Sequence, residues 1–366
     1  MTTNTSFDIT QPLPQGTVLL AASAGTGKTW TISAVCAKAI ATGLVHMENL
    51  LLVTFNRSAA RELRGRVYER LVNTRLLLAG AREPSDSCDW SLIRCGQAGL
   101  TRVESALDNF DRAVITTTHE FASRMLVELG VLSDHDPSSV LMTDLAPLAT
   151  EVSDDHYLAQ YLDCDRPPSV RDKRELSRDV AVKYGEVPIF SKDDADTPVQ
   201  DVLWALSVRE DVRRRSKSRS VHTFDDLIGD LVKALRDPYR GPLACATLAH
   251  RFGLVMVDEF QDTDPLQWEI LRRAFHGHSN LWLIGDPKQS IYAFRGADIH
   301  AYQDAAQSAS HVLHLDVNYR TDKPIVEAVN TLFSNAQLGH DISMELVTAH
   351  HQESRIKTAA TDGPRY

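Results

Sequence analysis

The segment Val18-Leu-Leu-Ala-Ala-Ser-Ala-Gly-Thr-Gly-Lys-Thr29 decides how this chain of 366 residues folds. Its apolar start predicts a buried strand, and the apolar stripe from Ile32 to Ile40, spaced by three and four residues, predicts a helix after it. Gly25 and Gly27 lie between the two and let backbone N–H groups converge on phosphate oxygens at the start of that helix. A strand, a glycine loop, a lysine and a threonine in this order indicate a phosphate loop.

The residues of this loop predict ATP and Mg²⁺ as cofactors. Lys28 is suited to neutralising the β- and γ-phosphates of a nucleotide, and the Thr29 hydroxyl is suited to ligating Mg²⁺. Alanine stands at position 22, where the phosphate-loop pattern has glycine. The predicted nucleotide-binding residues of the loop are Ala22, Ser23, Ala24, Gly25, Thr26, Gly27, Lys28 and Thr29.

A pair of carboxylates follows a second apolar run. Asp258 and Glu259 come directly after Leu254–Val257, where a buried strand would end. Mg²⁺ in a nucleotide site requires a carboxylate at the end of another strand, and Asp258 is predicted to ligate it directly or through water. Glu259 is predicted to orient and deprotonate the attacking water. Together with the phosphate loop, this pair predicts an enzyme that hydrolyses ATP.

Short apolar runs that do not alternate with polar residues predict a parallel sheet buried on both faces. They are Val18–Ala21, Leu50–Val53, Ala113–Ile115, Leu254–Val257, Leu281–Ile284 and Val312–Leu315. Helical patterns lie between them, so the predicted fold class is α/β, of the P-loop NTPase type. Residues 125–221 contain several prolines and no such run, which predicts a mostly helical inserted subdomain. The basic run Arg209–Arg219 near its end fits either a solvated helix face or a phosphate-contacting patch.

Composition and charge exclude several classes of protein. The chain is 43% apolar and 24% charged, which excludes a disordered or collagen-like chain. The net charge of −10, from 39 basic and 49 acidic residues, does not by itself indicate nucleic-acid binding. No apolar run approaches the roughly 20 residues that span a bilayer, and residues 1–15 do not have the pattern of a signal peptide. Five scattered cysteines without CxxC spacing predict a reduced, cytoplasmic protein. The histidines other than His119, including His350 and His351, show no metal-ligand spacing and are predicted to be structural or solvated.

An ordered series of segments resembles the signature motifs of superfamily 1 DNA helicases of the UvrD/Rep type. In the order I, Ia, Ib, II, III and IV, these segments are Ala22–Thr29, Val53–Ala60, Thr117–Met125, Val257–Asp262, Gly285–Ala297 and Asn318–Thr321. Two details favour the RecB branch, the beta subunit of exonuclease V. Trp30 stands where UvrD-like enzymes usually have arginine, and Gln11 and Gln15 lack the usual context of an adenine-reading glutamine. A generic UvrD-like helicase and an AddA-type helicase–nuclease remain the alternatives.

The resemblance implies roles for further residues. Gln289 would contact the γ-phosphate, and Gln261 would couple motif II to motif III. Arg320 would stabilise negative charge on the transferring phosphoryl group, and Tyr319 would stack on the adenine. Binding of single-stranded DNA needs aromatic faces and phosphate donors. The candidates in helicase motifs are Thr54, Phe55, His119, Tyr292 and Phe294.

The resemblance also implies a domain organisation. Residues 1–124 and 222–311 would form one RecA-like lobe, interrupted by the helical insertion 125–221, and residues 312–366 would begin a second lobe. Nothing in the sequence resembles motif V or VI, so the chain is expected to be truncated after motif IV.

The implied parent function is ATP-driven translocation along single-stranded DNA, in the 3′–5′ direction, with duplex unwinding in double-strand-break repair and recombination. The implied partners are single-stranded DNA, duplex DNA ends and RecC-like and RecD-like subunits, with no membrane. Two alternatives stay open for this chain. It could be a nucleotide-gated DNA-binding module, or a partner-binding remnant, in either case without motor activity.

Overall fold

The computed structural model describes residues 5–136, 139–142, 144–181, 199–290, 299–334, 336 and 346–355. The chain divides into two compact units. The main unit comprises Met1–Phe121 and Cys245–Tyr366, and the inserted unit comprises Ala122–Ala244. The inserted unit therefore extends further toward the C-terminus than the expected range 125–221.

Strands occur mainly in the main unit. In chain order, the described strands are β1 (Thr5–Ser6), β2 (Thr17–Ala22), β3 (Leu50–Thr54), β4 (Val114–Thr117), β5 (Val140–Leu141), β6 (Val221–His222), β7 (Leu254–Val257), β8 (Asn280–Gly285), β9 (His311–Leu315), β10 (Val317–Asp322) and β11 (Thr348–His351).

Helices connect these strands and form most of the inserted unit. The described helices are α1 (Lys28–Thr42), α2 (Arg57–Leu78), α3 (Ser87–Leu92), α4 (Gly96–Asp108), α5 (Thr118–Leu129), α6 (Ala146–Tyr161), α7 (Val170–Ala181), α8 (Val199–Ser218), α9 (Phe224–Arg236), α10 (Gly241–Arg251), α11 (Pro265–Phe275), α12 (Ile299–Ser308) and α13 (Lys323–Phe333). Within the described ranges, no helix is long and apolar enough to cross a membrane.

A seven-stranded parallel sheet forms the centre of the main unit. Its strand order is β1-β9-β2-β8-β7-β3-β4. In register, Leu19 pairs with Leu283 on one side and Val312 on the other, while Val53 pairs with Val257. All six apolar runs lie in this sheet, which confirms the predicted α/β fold. Because the strands are parallel, their carboxyl ends meet at one edge of the sheet.

Both faces of the sheet are buried, which is why the strand sequences are apolar without alternation. Leu52 and Trp282 belong to one core cluster together with residues of α1. Successive side chains of a strand point to opposite faces, and Leu51 and Leu283, in the alternate positions, are also buried. Helix α1 itself is buried at every residue from Thr31 to Ala41.

The last described strands differ from the expected organisation. The predicted boundary at residue 312 falls inside β9, which pairs with β2, so the main sheet continues to Leu315. Beyond it, β10 and β11 form a separate parallel pair, and α13 lies between them in sequence. Residues 317–322 are therefore held beside the sheet on a small element of their own.

The inserted unit has its own core of helices α6, α7 and α8. The buried residues of this core are Leu145, Leu148, Ala149, Val152, Trp204, Val208 and Val212. Two arginines of the basic run pair with acidic residues of α6: Arg215 with Glu151 and Asp155, at 2.9 and 2.6 Å, and Arg219 with Glu151, at 2.7 Å. Arg215 of α8 and Arg219 just after its end thus join this end of α8 to α6.

Trp282→Ala is expected to lower the free energy of unfolding by about 3–5 kcal/mol, because it removes a buried indole from the central strand β8. Trp282 is 1% exposed and packs edge-on against Phe7. Urea denaturation followed by far-UV circular dichroism measures the change. Trp90→Ala is the matched control, since Trp90 is 65% exposed and its loss should change stability by less than about 1 kcal/mol. Equal losses in the two variants would contradict the assignment of β8 to the core.

Candidate active site

The phosphate loop connects β2 to α1. Gly25 and Gly27 have φ of +82° and +88°, a left-handed conformation that residues with a Cβ atom rarely adopt. The Thr26 backbone N–H and hydroxyl both donate to the Ser23 carbonyl, at 3.2 and 2.8 Å, and close the turn. Lys28 is the first residue of α1, and Thr29 is the second. The loop therefore presents backbone N–H groups, a lysine and a threonine at one helix N-terminus, as predicted.

Strand β10 is hydrogen-bonded to this loop through Asn318. The Asn318 side-chain amide donates to the Ala24 carbonyl at 3.0 Å, and the Tyr319 backbone N–H donates to the Gly25 carbonyl at 2.8 Å. The Asn318 carbonyl oxygen accepts from the backbone N–H groups of Arg320 and Thr321. Asn318 is not among the predicted site residues, although an asparagine that begins Asn-Tyr-Arg after a strand is suited to such local backbone contacts.

The contact with β10 also explains the glycine at position 25. A Cβ atom there would lie 2.8 Å from Cβ of Arg320 and 2.9 Å from Oδ1 of Asn318. Tyr319 is exposed and approaches the loop, because a Cβ atom on Gly27 would be 3.8 Å from its ring. Arg320 follows on the same strand and is exposed. The motif IV residues thus lie beside the phosphate loop.

An apolar cavity of about 640 Å³ lies next to the loop in the main unit. Its wall includes Phe7, Thr26, Trp30 and Tyr319. Aromatic faces beside a phosphate loop suit the base and sugar of a nucleotide. The cavity therefore fits the predicted position of Tyr319 as an adenine contact.

Strand β7 ends in the predicted carboxylate pair. The Asp258 backbone N–H donates to the Val53 carbonyl at 2.8 Å and extends the pairing with β3. Glu259 has φ of +54°, and its carboxylate accepts from Lys28 Nζ at 2.6 Å. The Lys28 and Glu259 side chains are 14% and 34% exposed, so this ion pair is partly shielded from water. Lys28, Asp258 and Glu259 are thus brought to one edge of the sheet.

Burial and charge raise the pKa values of two carboxyl groups at this edge. Burial and then the neighbouring Glu259 charge raise the pKa of Asp258 to about 6. The same two causes raise the pKa of Asp262 to about 6. Asp262 Oδ1 and Thr54 Oγ1 are buried without a hydrogen-bond partner. Crowded carboxylates and unpaired oxygens are a donor set that suits Mg²⁺, which prefers oxygen ligands. Asp262 is not among the predicted site residues.

Gln261 joins the ends of β7 and β8. Its Nε2 donates to the Glu259 carboxylate at 2.8 Å, and its Oε1 accepts from the Asp286 backbone N–H at 3.0 Å. Gly285 leaves room for this amide, since a Cβ atom there would lie 2.5 Å from Gln261 Oε1. Asp286 in turn accepts from Gln289 Nε2 at 2.8 Å. The predicted residues Gln261 and Gln289 therefore belong to one hydrogen-bonded chain that begins at Glu259.

The predicted DNA-binding residues differ in their exposure to solvent. Phe55 follows β3 and His119 is the second residue of α5, directly after β4, and both are half-buried. Thr54 is the last residue of β3 and is only 1% exposed, so the surface of this edge is formed by Phe55 and His119 and not by the Thr54 side chain. Tyr292 and Phe294 lie outside the described residues.

A parallel sheet with a glycine loop after one strand and an Asp–Glu pair after another is the arrangement of the P-loop NTPase fold. The sequence profile of the UvrD/REP helicase N-terminal domain matches residues 3–310. The chain belongs to this helicase family.

The relatives agree with the predicted RecB branch. RecBCD enzyme subunit RecB of Mycobacterium tuberculosis is 38% identical over 371 residues, which cover 98% of this chain and 34% of that protein. RecBCD enzyme subunit RecB of Escherichia coli is 27% identical, over 87% of this chain and 38% of that protein. ATP-dependent DNA helicase UvrD1 of Mycobacterium bovis is also 27% identical, over 94% of this chain and 42% of that protein. The chain spans about a third of the length of the RecB relatives that it matches.

Asp258→Asn is expected to stabilise the protein in magnesium-free buffer above about pH 6. Because the pKa of Asp258 is raised, ionisation of this carboxyl group lowers the free energy of unfolding as the pH rises from about 4 through about 6. Asparagine stays neutral over this range and avoids the loss. The gain should be about 1–3 kcal/mol at pH 8, since one pKa unit corresponds to about 1.4 kcal/mol.

The gain from Asp258→Asn should disappear near pH 4, where the wild-type carboxyl group is protonated as well. Thermal unfolding at pH 4, 6 and 8 measures this dependence, with Asp111→Asn at an exposed position as the control. A variant that is less stable than the wild type at pH 8 would contradict the proposed burial and repulsion at Asp258.

Proposed function

We propose that this chain is the ATP-binding part of a RecB-like DNA helicase and that it binds Mg·ATP and single-stranded DNA at one edge of its sheet. The observation that carries the proposal is the order of the strands. The nucleotide residues follow β2, β7 and β8, while Phe55 and His119 follow β3 and β4 on the far side of β7. Both sets of residues share an edge, because every strand of the sheet is parallel.

The nucleotide step begins with Lys28. The Lys28 ammonium now contacts Glu259, and it would exchange this carboxylate for the β- and γ-phosphates of ATP. Asp258 and Thr29 would hold Mg²⁺, which when bound neutralises phosphate charge. Glu259, oriented by Gln261, would accept the proton of the attacking water. Arg320 on β10 would stabilise the charge that develops on the γ-phosphate.

The DNA step uses aromatic and imidazole faces. Phe55 and His119 would stack on bases of a single strand, and such stacking is independent of sequence. The hydrogen bond from Asp258 to Val53 lies one residue from Thr54, so a shift of the carboxylate pair would reach the DNA-contacting edge. Binding of ATP would thereby change the affinity for single-stranded DNA.

The wider function is proposed from the relatives and from the motifs. It is ATP-driven 3′–5′ translocation on single-stranded DNA, with unwinding from duplex ends in double-strand-break repair and recombination. RecC-like and RecD-like subunits are the proposed partners, as the name RecBCD enzyme subunit RecB of the relatives suggests. These relatives are longer than this chain, and the activity of a whole helicase is proposed for a protein of their length.

Glu259→Gln is expected to lower phosphate release from Mg·ATP in the presence of single-stranded DNA by a factor of about 100 or more, because it removes the base. It should leave nucleotide binding within about threefold of the wild type. Lys28→Ala should weaken binding itself by at least about tenfold, since the main cationic contact to the phosphates is lost. A phosphate-release assay and a titration with a fluorescent ATP analogue measure the two effects.

Lys217→Ala is the control for these variants, because Lys217 is an exposed lysine of the inserted unit. Hydrolysis that survives Glu259→Gln would contradict the assigned base. Binding of ATP without any turnover in the wild type would instead support a nucleotide-gated DNA-binding module. Subunit association that is unaffected by Lys28→Ala, without ATP or DNA binding, would support a partner-binding role.

Phe55→Ala and His119→Ala are each expected to weaken binding of single-stranded DNA by about 1–3 kcal/mol, or about 5- to 150-fold, through loss of one stacking contact. Fluorescence anisotropy of a labelled oligonucleotide at fixed salt measures the affinity, since salt alone changes it strongly. Tyr239→Ala is the control, because Tyr239 is 91% exposed and belongs to the inserted unit outside the helicase motifs. Equal effects of all three substitutions would argue against an edge-specific DNA site.

A further inference from the structure

We propose that His135, His222 and Asp230 of the inserted unit form a binding site for a divalent transition-metal ion of the zinc type. One ligand atom from each of the three side chains lies within 4.8 Å of the others. None of the three residues belongs to a helicase motif or to the candidate active site. They come from separate segments: His135 follows a 3-10 turn at Gly130–Leu132, His222 ends β6, and Asp230 lies in α9.

The distance between His222 and Asp230 favours a shared ion. His222 Nε2 and Asp230 Oδ2 are 3.3 Å apart. Two ligands of a tetrahedral zinc ion, with bonds of about 2.0–2.1 Å, are themselves about 3.3 Å apart. The other histidine–aspartate pair of the inserted unit, His156 and Asp211, is closer, at 2.9 Å, which is an ordinary hydrogen bond.

The third ligand is close to this pair. The His135 and His222 rings are 5.3 Å apart between centroids and meet at 62°, so one ring edge approaches the other ring. Because the donor atoms are already within 4.8 Å, a rotation of the His135 side chain would bring its nitrogen into bonding distance of an ion between His222 and Asp230.

The His135 imidazole has a ring nitrogen that is not otherwise used. Nδ1 of His135 is buried and has no hydrogen-bond partner. Buried polar atoms are paired in the great majority of cases, so this unpaired nitrogen needs an explanation. A metal ion shared with His222 Nε2 and Asp230 supplies one, because imidazole nitrogen is a preferred ligand of zinc.

Carboxylates surround the cluster. The negative charges of Asp136 and Asp226 act on His222 in addition to that of Asp230. This concentration of negative charge favours a bound cation.

The carboxylate of Asp230 is oriented for one bond to a metal. Lys233 Nζ donates to Asp230 Oδ1 at 3.1 Å, which leaves Oδ2 directed toward His222. Such a second contact to a ligand is typical of zinc sites. His222 and Asp230 also line a cavity of about 590 Å³ in the inserted unit, which provides an entry path and space for a water as the fourth ligand.

A metal ion at this position would connect the loop at His135, strand β6 and helix α9. The inferred role is therefore structural. The ion would stabilise the inserted unit, independently of the nucleotide site of the main unit. Its removal should lower the thermal stability of the chain without preventing ATP binding.

The test uses the untagged full chain after treatment with a chelator. Zn²⁺ is titrated against a chromophoric competitor in excess Mg²⁺, which occupies sites made of oxygen ligands and competes poorly for imidazole. We expect one Zn²⁺ per chain, a rise in the melting temperature with Zn²⁺, and an absorption spectrum of tetrahedral type when Co²⁺ replaces it.

Substitution of any of the three ligands should weaken Zn²⁺ binding at least about tenfold. Loss of a residue that only hydrogen-bonds to a metal ligand already costs about 10- to 100-fold in metal affinity. His222→Ala, His135→Gln and Asp230→Asn are the test variants, and His156→Gln is the matched control, which should bind Zn²⁺ as the wild type does. His135→Gln decides the result if His222→Ala does not fold, because His135 lies in a loop.

Two results would overturn the proposal. One is the absence of a Zn²⁺-dependent rise in melting temperature and of stoichiometric binding in the wild type. The other is binding that His135→Gln and Asp230→Asn leave unchanged, which would place the ion elsewhere on the chain.

Discussion

The side chain of Gln261 connects the two strand ends on which the candidate active site is built. It is 2% exposed, donates to Glu259 and accepts from the Asp286 backbone. Glu259 in turn contacts Lys28 of the phosphate loop, and Asp286 contacts Gln289. An uninterrupted series of hydrogen bonds and one ion pair therefore runs from α1 to the loop after β8. Because the central amide is buried, water cannot replace it without opening the edge of the sheet.

In the proposed function, this edge of the sheet has two halves. Strands β2, β8 and β7 carry the nucleotide residues, and β3 and β4 carry Phe55 and His119. Strand β7 lies at the boundary, where Asp258 pairs with the backbone of β3. On the other side of the phosphate loop, Asn318 ties β10 to Ala24. A nucleotide at the loop would therefore contact groups that are bonded both toward β3, which precedes the proposed DNA contact Phe55, and toward Tyr319 and Arg320.

The sequence predicted the strands and the phosphate loop well, for a physical reason. Strands buried on both faces need apolar residues at every position, and a phosphate loop needs glycine, lysine and threonine at fixed spacing. It did not predict the bond of Asn318 to Ala24, because this bond joins residues far apart in the chain. The connection of motif II to motif III by Gln261 is implied by the family resemblance and not by the residue pattern itself. The clustering of His135, His222 and Asp230 has no sequence signature either, since fixed ligand spacing appears only when ligands share a loop or a helix. The bounds of the inserted unit, Ala122–Ala244, also depend on tertiary packing, which local sequence patterns do not show.

We propose that ATP binding and DNA binding are coupled through the carboxylate pair, because Gln261 holds Glu259 and the adjacent Asp258 pairs with Val53 of β3. The most direct measurement is the affinity for single-stranded DNA with and without a non-hydrolysable Mg·ATP analogue, in the wild type and in Gln261→Ala. Coupling between two sites is typically worth about 1–3 kcal/mol, so the wild-type affinity should change by at least about fivefold. In Gln261→Ala the change should fall below about twofold while each ligand still binds. An equal change in both proteins would contradict the account.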